Sequence, residues 1–354
     1  MTLPYLTADL PGIGGVLRSL DEDFAVDEEP AYLPSGAGDH VFVRIEKRGL
    51  TTPQAVLAIA RALGVRDRDI GVAGMKDRRA VTTQWLSLPP PVTPEAALAI
   101  TSDGVRILEA ARHPHKLRTG HVRANRFRLR VRGLAGDPAE LAARARTILD
   151  RLAGPPGAPN WYGEQRFGRD GDNAARGREL LAGTRRPGRD RRLDRLMISA
   201  LQSELFNAWL VARLADGLYR RAIAGDVMHK LGGGMFDCDD PATDEGRLLA
   251  GELVATGPMF GDRMRRPAEG TPAAAREAAI LDAAGLSRDA FAAVRSLAEG
   301  TRRDAAVPLT GVAVDAIAAD AAADGQTLEV AFTLPGGAYA TTVMREVMKA
   351  DPAA

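Results

Sequence analysis

The sequence is poor in cysteine and has no long apolar run. Cys238 is the single cysteine among 354 residues, which excludes internal disulfides and cysteine-based metal clusters and is typical of a reducing compartment. No stretch approaches the roughly 20 apolar residues of a membrane span, and the N-terminus lacks a positive region followed by an apolar run. We therefore expect a cytoplasmic protein with no membrane partner.

The sequence also lacks a strong net charge. Lysine and arginine number 47 against 46 acidic residues, a formal charge of +1, so contact with a polyanion has to rely on local clusters. Residues 105–132 hold nine basic residues and one acid, and residues 176–195 hold eight arginines and three acids. Both segments could follow a phosphate backbone. As a strand, residues 126–132 would carry four arginines on one face, which also fits an ordinary solvated surface.

Both ends of the chain mix strand and helix patterns. Residues 38–46, GDHVFVRIE, alternate in the manner of a half-buried strand, and residues 52–63 have the spacing of an amphipathic helix that ends near Gly64. The same reasoning predicts three more strands and one more helix. The strands are residues 82–88, 127–131 and 328–333, and the helix is residues 139–152.

The middle of the chain has a different character. Gly154-Pro155-Pro156-Gly157 cannot continue a helix and usually marks a linker or a tight connection. After it, residues 199–214 and 273–298 have a predominantly helical, alanine-rich pattern, and strand-like sequence returns near Leu328. We interpret the middle of the chain as a mostly helical insert.

One charged segment is a candidate for chemistry. Residues 74–81, GMKDRRAV, begin at a glycine turn and place four consecutive charged residues before an apparent strand. The neighbouring cations favour the ionised form of Asp77, as a nucleophile needs, but they would do the same in a surface ion pair. From these residues alone, a charged turn capped by Asp77 and a catalytic loop are both open.

Three of the five histidines, His113, His115 and His121, lie in one basic stretch. The stretch has no carboxylate cluster, and its arginines would repel a metal cation. RNA contact or ordinary surface histidines therefore explain the stretch better than a zinc site. We predict no metal site.

Several separated segments together resemble the TruD family of tRNA pseudouridine synthases. Residues 74–88, GMKDRRAVTTQWLSL, are similar to the family's nucleophile motif, and residues 159–168, PNWYGEQRFG, to the signature that opens its inserted domain. Further matches lie at Glu22-Asp23-Phe24 with Val26 and Glu28, at residues 199–207 and at residues 334–348. The matches run in family order over nearly the whole chain, so their joint specificity is high. Arg79 departs from the pattern, because histidine is usual at that place in the family.

The resemblance implies a two-part α+β protein. Residues 1–156 and 307–354 would form a pseudouridine-synthase catalytic core with a mixed or antiparallel sheet, and residues 157–306 a mostly helical α+β insertion domain. The implied activity is isomerisation of uridine to pseudouridine in tRNA, characteristically at position 13, without a metal or an organic cofactor. No protein partner is evident from the sequence.

The resemblance also implies roles for individual residues. Asp77 takes the place of the catalytic nucleophile, and Phe24, Asn125 and Tyr339 fall on substrate-binding positions. Arg18 is a candidate partner of the Asp77 carboxylate, and Lys76 is a supporting cation. From the residues alone, Phe24 and Tyr339 also fit plain core aromatics, Asn125 a turn residue and Arg18 a surface arginine.

Two other functional classes remain open at this level. An RNA-binding protein could keep the fold and lose catalysis. The simplest sequence indication of such a loss would be an altered nucleophile, and Asp77 is intact. A carboxylate-based glycosidase ordinarily needs a second positioned acid, which the sequence does not identify.

Overall fold

The computed structural model describes residues 2–317, 325–350 and 352. In chain order, the strands of this part are β1 (Val16–Leu17), β2 (Phe24–Pro30), β3 (His40–Arg48), β4 (Gly71–Val72), β5 (Val81–Leu88), β6 (Val105–His113), β7 (Val122–Leu134), β8 (Ala158–Pro159), β9 (Val227–Lys230), β10 (Met235–Asp237), β11 (Leu253–Met259), β12 (Thr301–Asp304), β13 (Ala306–Val307), β14 (Thr310–Ile317) and β15 (Gln326–Pro335). The helices are α1 (Thr52–Leu63), α2 (Pro94–Leu98), α3 (Pro138–Ala153), α4 (Asn173–Leu181), α5 (Arg191–Ala215), α6 (Pro241–Leu249), α7 (Pro272–Ala283), α8 (Arg288–Ala293) and α9 (Ala340–Met348). Within these residues, no helix combines the length and the apolar character needed to cross a membrane.

The largest sheet is mixed. Its strands follow the order β14-β15-β7-β2-β5-β3-β6, with β1 beside β7 and β4 beside β5. Its neighbouring strands are antiparallel, except that β2 and β5 pair in parallel from Ala25 opposite Val81 to Asp27 opposite Thr83. Because Val81 lies beside Ala25, the loop that precedes β5 ends next to the start of β2.

Helix α1 covers one face of β3 and β5. It begins at a capping box in which the Thr51 side chain accepts from the Gln54 amide, and it ends where Gly64 takes a left-handed φ of 66°. Its apolar side packs on alternate residues of the two strands. The buried cluster includes Val41, Val43, Ile45, Val56, Ile59, Leu86 and Leu88.

Strand β7 has the two faces that the sequence predicts. Phe127, Leu129 and Val131 are buried, while the arginines that alternate with them point away from the core. Three of these arginines pair with carboxylates, and Arg128 has no ion pair within the described part of the chain. The pairs are Arg126–Glu29, Arg130–Glu329 and Arg132–Asp23. Most arginines of this face therefore form ion pairs within the protein.

The residues group into two compact units. The sheet unit comprises Pro11–Asp150, Leu309–Ala340 and Val347–Ala354, and the helical unit comprises Met1–Leu10, Arg151–Pro308 and Thr341–Glu346. The helical unit contains a sheet in the order β10-β9-β11-β12 and the pair β13-β8. The division into a catalytic core and an insertion domain, at the boundaries given above, stays a prediction.

Close packing of two helices organises the helical unit. A Cβ atom at Gly177 of α4 would lie 2.4 Å from the Met197 carbonyl oxygen of α5, so only glycine allows this approach. The two helices share one apolar cluster with residues from later in the chain. The cluster includes Leu180, Leu181, Ile198, Leu201, Leu205, Phe260, Leu281 and Phe291.

The α+β class and mixed sheet are confirmed, with local differences. Strand β7 is longer than the predicted strand at residues 127–131, because its backbone pairs with β2 on one side and with β15 on the other over almost its whole length. The predicted helical stretch at residues 273–298 is two helices, α7 and α8. Gly285, at φ 66°, ends the first, and the Ser287 side chain caps the second.

Candidate active site

The loop between β4 and β5 carries Asp77. The carboxylate side chain is 45% exposed, and its Oδ2 lies 2.5 Å from a terminal nitrogen of Arg18, whose own side chain is 15% exposed. The structure therefore brings together the predicted nucleophile and the arginine predicted as its partner. The carboxylate is accessible, while the cation that orients it is largely buried.

Arg18 also covers the ring of Phe24. The guanidinium carbon lies 3.9 Å from the centre of that ring, and the ring itself is buried, with Phe127 packed edge-on at 6.2 Å. Arg18 has a backbone φ of 65°, a left-handed conformation that is uncommon outside glycine. The chain thus accepts local strain at the position that places a guanidinium between Phe24 and Asp77.

Lys47 is a residue of this site that the sequence analysis missed. Its ammonium group donates to the carbonyl oxygens of Asp77, at 2.6 Å, and of Leu50, at 2.7 Å. Burial lowers the pKa of Lys47 to about 8, against the opposing attraction of Asp77. A signal was present in the sequence, because Lys47 continues the inward-facing series of Val41, Val43 and Ile45 along β3.

Lys76 holds the other side of the loop. Its ammonium group forms a buried ion pair with Glu28, and its backbone amide donates to Thr52 Oγ1 at 2.9 Å. Glu28 also accepts from the Trp85 amide at 3.0 Å. Lys76 is therefore a loop anchor, and Glu28, which the sequence analysis quoted only within a motif, is its partner.

The next two arginines of the motif also bind backbone carbonyl groups. Arg78 Nε donates to the Gly49 carbonyl at 3.2 Å, and a terminal nitrogen of Arg79 donates to the Arg18 carbonyl at 2.9 Å. Arg79, the departure from the family pattern, thus supports the strained residue that contacts Asp77. The contacts of Lys76, Arg78 and Arg79 thus hold the Asp77 loop in its conformation. The ion pair with the Asp77 carboxylate comes from Arg18.

Asn125 lies on β7 between Glu28 of β2 and Leu334 of β15. The residue is half-buried, and its Oδ1 is a buried atom with no hydrogen-bond partner in the described part of the chain. A buried amide oxygen ordinarily has a donor. Asn125 therefore offers an acceptor that the protein does not use.

Tyr339 lies between β15 and α9 and is half-buried. The turn that leads to it begins where Pro335 pairs with Ala124, one residue before Asn125. A Cβ atom at Gly336 would lie 3.0 Å from the Val122 carbonyl oxygen, and one at Gly74 would lie 3.6 Å from the Val122 side chain. Val122 thus contacts both the turn before Tyr339 and the start of the Asp77 loop.

Comparison with known proteins identifies the family. The family model described as tRNA pseudouridine synthase D (TruD) matches residues 1–186 and 189–347. This chain belongs to the TruD family. Its members are isomerases that convert uridine to pseudouridine in tRNA, and the chain is accordingly a pseudouridine synthase.

Individual TruD relatives match the chain almost from end to end. A tRNA pseudouridine synthase D of Anaeromyxobacter dehalogenans is 53% identical over 355 residues, covering 99% of this chain and 97% of the relative. A second, from Thermus thermophilus, is 43% identical over 352 residues and covers 98% and 92%. The sequence-based recognition of the family is confirmed.

The TruD fold is also found among solved structures. The crystal structure of a putative tRNA pseudouridine synthase D from Methanosarcina mazei superposes with a TM-score of 0.79 at 23% identity, covering 99% of this chain and 97% of that one. At this identity the match supports the fold alone. In this TruD chain, no group of three or more histidine, cysteine or acidic side chains among the described residues is arranged to hold a metal ion.

The backbone at Arg18 gives a test of its role. Alanine at a left-handed position costs about 1 kcal/mol that glycine does not, so Arg18→Gly should unfold at a temperature no lower than Arg18→Ala. Both variants should lose pseudouridine formation, because both lack the guanidinium. Arg128, in the middle of β7, is the control position. There the alanine variant should melt above the glycine variant, because glycine destabilises the interior of a strand. Arg18→Ala melting above Arg18→Gly would show that position 18 is not strained.

The buried amine of Lys47 predicts a pH-dependent stability. Between pH 8 and the ordinary pKa near 10.5, the folded chain holds Lys47 neutral while the unfolded chain still binds its proton. The free energy of unfolding of the parent should therefore rise with pH relative to Lys47→Met, by at most about 1.4 kcal/mol per pH unit. Urea unfolding of both proteins at pH 7, 8, 9 and 10 measures this difference. A constant or shrinking difference would contradict the burial of the amine.

Proposed function

We propose that this chain converts uridine to pseudouridine at position 13 of tRNA, with Asp77 as the nucleophile. The observation that carries the proposal is the contrast between an exposed carboxylate and its buried supports. The Asp77 side chain is 45% exposed, whereas Arg18 is 15% exposed on its side chain and Lys47 is fully buried. A surface turn needs no such support, while a nucleophile has to be accessible and fixed in direction.

The chemistry requires one positioned carboxylate and no redox change. Asp77 attacks the nucleoside, the bond between N1 of uracil and the ribose breaks, and the base rotates. The base then rejoins the same ribose carbon through its own C5, while the bond that Asp77 formed with the nucleoside breaks and the carboxylate is restored. C5 loses a proton as N1 gains one. Substrate and product are isomers, so the atoms balance without a co-reactant. The Arg18 guanidinium holds the carboxylate in one direction through this sequence.

We assign uracil recognition to Asn125, Arg18, Phe24 and Tyr339. Asn125 Oδ1 has no partner among the described residues, and once the amide turns toward the site it can accept from the N3–H of uracil, the donor on the pairing edge of the base. Arg18 covers the Phe24 ring at 3.9 Å, so a flipped uracil meets the guanidinium plane first. Bases stack on guanidinium planes as well as on rings. In this proposal Phe24 supports that stack and Tyr339 closes the site from the turn after β15.

Unpaired arginines supply attraction for RNA. In the helical unit, several arginines near the start of α5 are exposed and make no side-chain ion pair within the described residues. They are Arg186, Arg189, Arg191, Arg192 and Arg195. We expect tRNA to be the partner of this surface and, since tRNA is modified where it is translated, the cytoplasm to be the site of action.

Replacement of Asp77 tests the mechanism. Asp77→Asn keeps the size and polarity of the side chain and removes its charge, so pseudouridine formation should vanish while tRNA affinity stays within a few-fold. Asp103→Asn, at an exposed turn of the same unit, is the matched control and should retain parental activity. Pseudouridine is quantified in purified tRNA after digestion to nucleosides, with free uracil measured in parallel.

The outcomes of this experiment separate the alternatives. Release of free uracil by the parent would contradict the proposed mechanism, because the detached base has to stay at the site until it rejoins the ribose. A folded Asp77→Asn protein with substantial activity would refute the nucleophile. A tRNA transcript with cytidine at position 13 should acquire no pseudouridine, and modification elsewhere in that transcript would overturn the position.

Asn125→Ala distinguishes substrate recognition from a structural role. Because Oδ1 has no partner in the described part of the protein, its removal should change the free energy of unfolding by no more than about 0.5 kcal/mol. Loss of one buried hydrogen bond to uracil should lower kcat/KM about tenfold to a hundredfold. Urea unfolding and initial rates on tRNA measure both quantities. A destabilised variant with parental kcat/KM would assign Asn125 to the fold.

A further inference from the structure

A pocket of the sheet unit lies outside the Asp77 site and has no assigned role. Its volume is about 430 Å³, and it lies where β2, β3, β6 and β7 begin or end. Its lining carries no carboxylate and is rich in groups that donate hydrogen bonds. The polar lining residues are Tyr32, His40, His115, Lys116, Arg118 and His121.

The pocket is built on a loop tied to the catalytic segment. In the connection between β6 and β7, the Gly120 amide donates to the Ala73 carbonyl at 2.8 Å, next to Gly74 at the start of the Asp77 loop. The Leu117 amide donates to Ser87 Oγ of β5 at 2.9 Å, and the Leu117 side chain is buried. The pocket wall is therefore fixed to the core of the sheet.

Aromatic rings pack against Tyr32 of the pocket lining. Tyr32 stacks on His113 at 5.3 Å with an angle of 21° between the rings, and His113 lies 4.3 Å from Phe42. Burial and the nearby His115 and His40 lower the pKa of His113, so this ring is neutral near pH 7. Tyr32 is 36% exposed.

The pocket presents donors rather than acceptors. The Tyr32 hydroxyl lies 2.6 Å from His121 Nδ1. In the tautomer in which this hydroxyl donates to Nδ1, the ring carries its N–H donor on Nε2. The Arg118 guanidinium is exposed and makes no hydrogen bond or ion pair within the described residues. Lys116 Nζ is held near the loop by the Arg68 carbonyl at 2.9 Å.

We propose that this pocket binds a phosphodiester group of the RNA strand, with Arg118 as the principal contact and Lys116 and His121 as further donors. A concave site with two permanent cations, N–H donors and no carboxylate favours an anionic group and disfavours a cation. The proposal rests on the proposed function, because it takes RNA as the source of the phosphate.

The position of the pocket fits a nucleotide away from the flipped uridine. Strand β2 begins at Phe24, which contacts Arg18 of the Asp77 site, and ends just before Tyr32 of the pocket. Its seven residues span roughly 20 Å between these two places. An RNA phosphate bound in the pocket would therefore belong to a nucleotide a few positions away from the uridine at Asp77. The pocket would contribute to affinity and orientation, whereas Asp77 would perform the chemistry.

Charge reversal at the pocket tests the proposal. Arg118→Glu should weaken tRNA binding at least tenfold, raise KM correspondingly and reduce the slope of log Kd against log salt by about 0.9. Arg61→Glu is the matched control, since Arg61 is exposed on α1, which packs on the face of β3 opposite Phe42. The control should stay within twofold of the parent. Equal losses in both variants, or a parental slope for Arg118→Glu, would overturn the proposal.

Chemical protection supplies a readout on the unaltered protein. His115 is exposed at the pocket, and diethylpyrocarbonate should modify it less when tRNA is bound, as measured by mass spectrometry. Unchanged modification at saturating tRNA would contradict the proposal. Equal protection by inorganic phosphate alone would place a free anion there and overturn the RNA assignment. Both binding readouts are independent of pseudouridine formation, so failure of the pocket and failure of the proposed activity are distinguishable.

Discussion

The position of the Asp77 carboxylate depends on a buried amine beneath its loop. The Lys47 ammonium donates to the Asp77 and Leu50 carbonyl groups, and so links the end of β3 with the loop before β5. Desolvation of that amine is unfavourable, as its lowered pKa of about 8 shows, and the hydrogen bonds to the loop offset part of this cost. The loop and the strand are therefore positioned together.

A second layer of contacts fixes the direction of the carboxylate. Arg18 joins Asp77 to the Phe24 ring, and the Arg79 side chain holds the Arg18 carbonyl. The cations of the nucleophile motif thus have separate structural tasks, which a count of charges near Asp77 does not distinguish. Each of these cations has a different partner: Lys76 pairs with Glu28, Arg78 donates to the Gly49 carbonyl and Arg79 to the Arg18 carbonyl.

The sequence predicted regular structure well where one periodicity dominated. Helix α1 and the alternating strand β3 follow from local pattern and caps, and motif resemblance pointed to Asp77. Lys47 was missed because a lysine in a strand ordinarily faces solvent, and only its place in an inward series reveals it. The Lys76–Glu28 pair could not be deduced either, since it joins residues 48 positions apart and depends on strand order.

The short pairing between β2 and β5 has a structural consequence. The two strands pair only from Ala25 to Asp27 on the β2 side, and one residue later the Glu28 carboxylate accepts from the Trp85 amide at 3.0 Å. A side-chain hydrogen bond thus takes the place of a backbone hydrogen bond between the two strands, and it links β2 to β5 where their backbone pairing has ended. The Glu28 side chain thus joins the two strands beyond their last backbone pair, and a shorter aspartate at position 28 would leave the Trp85 amide without this acceptor.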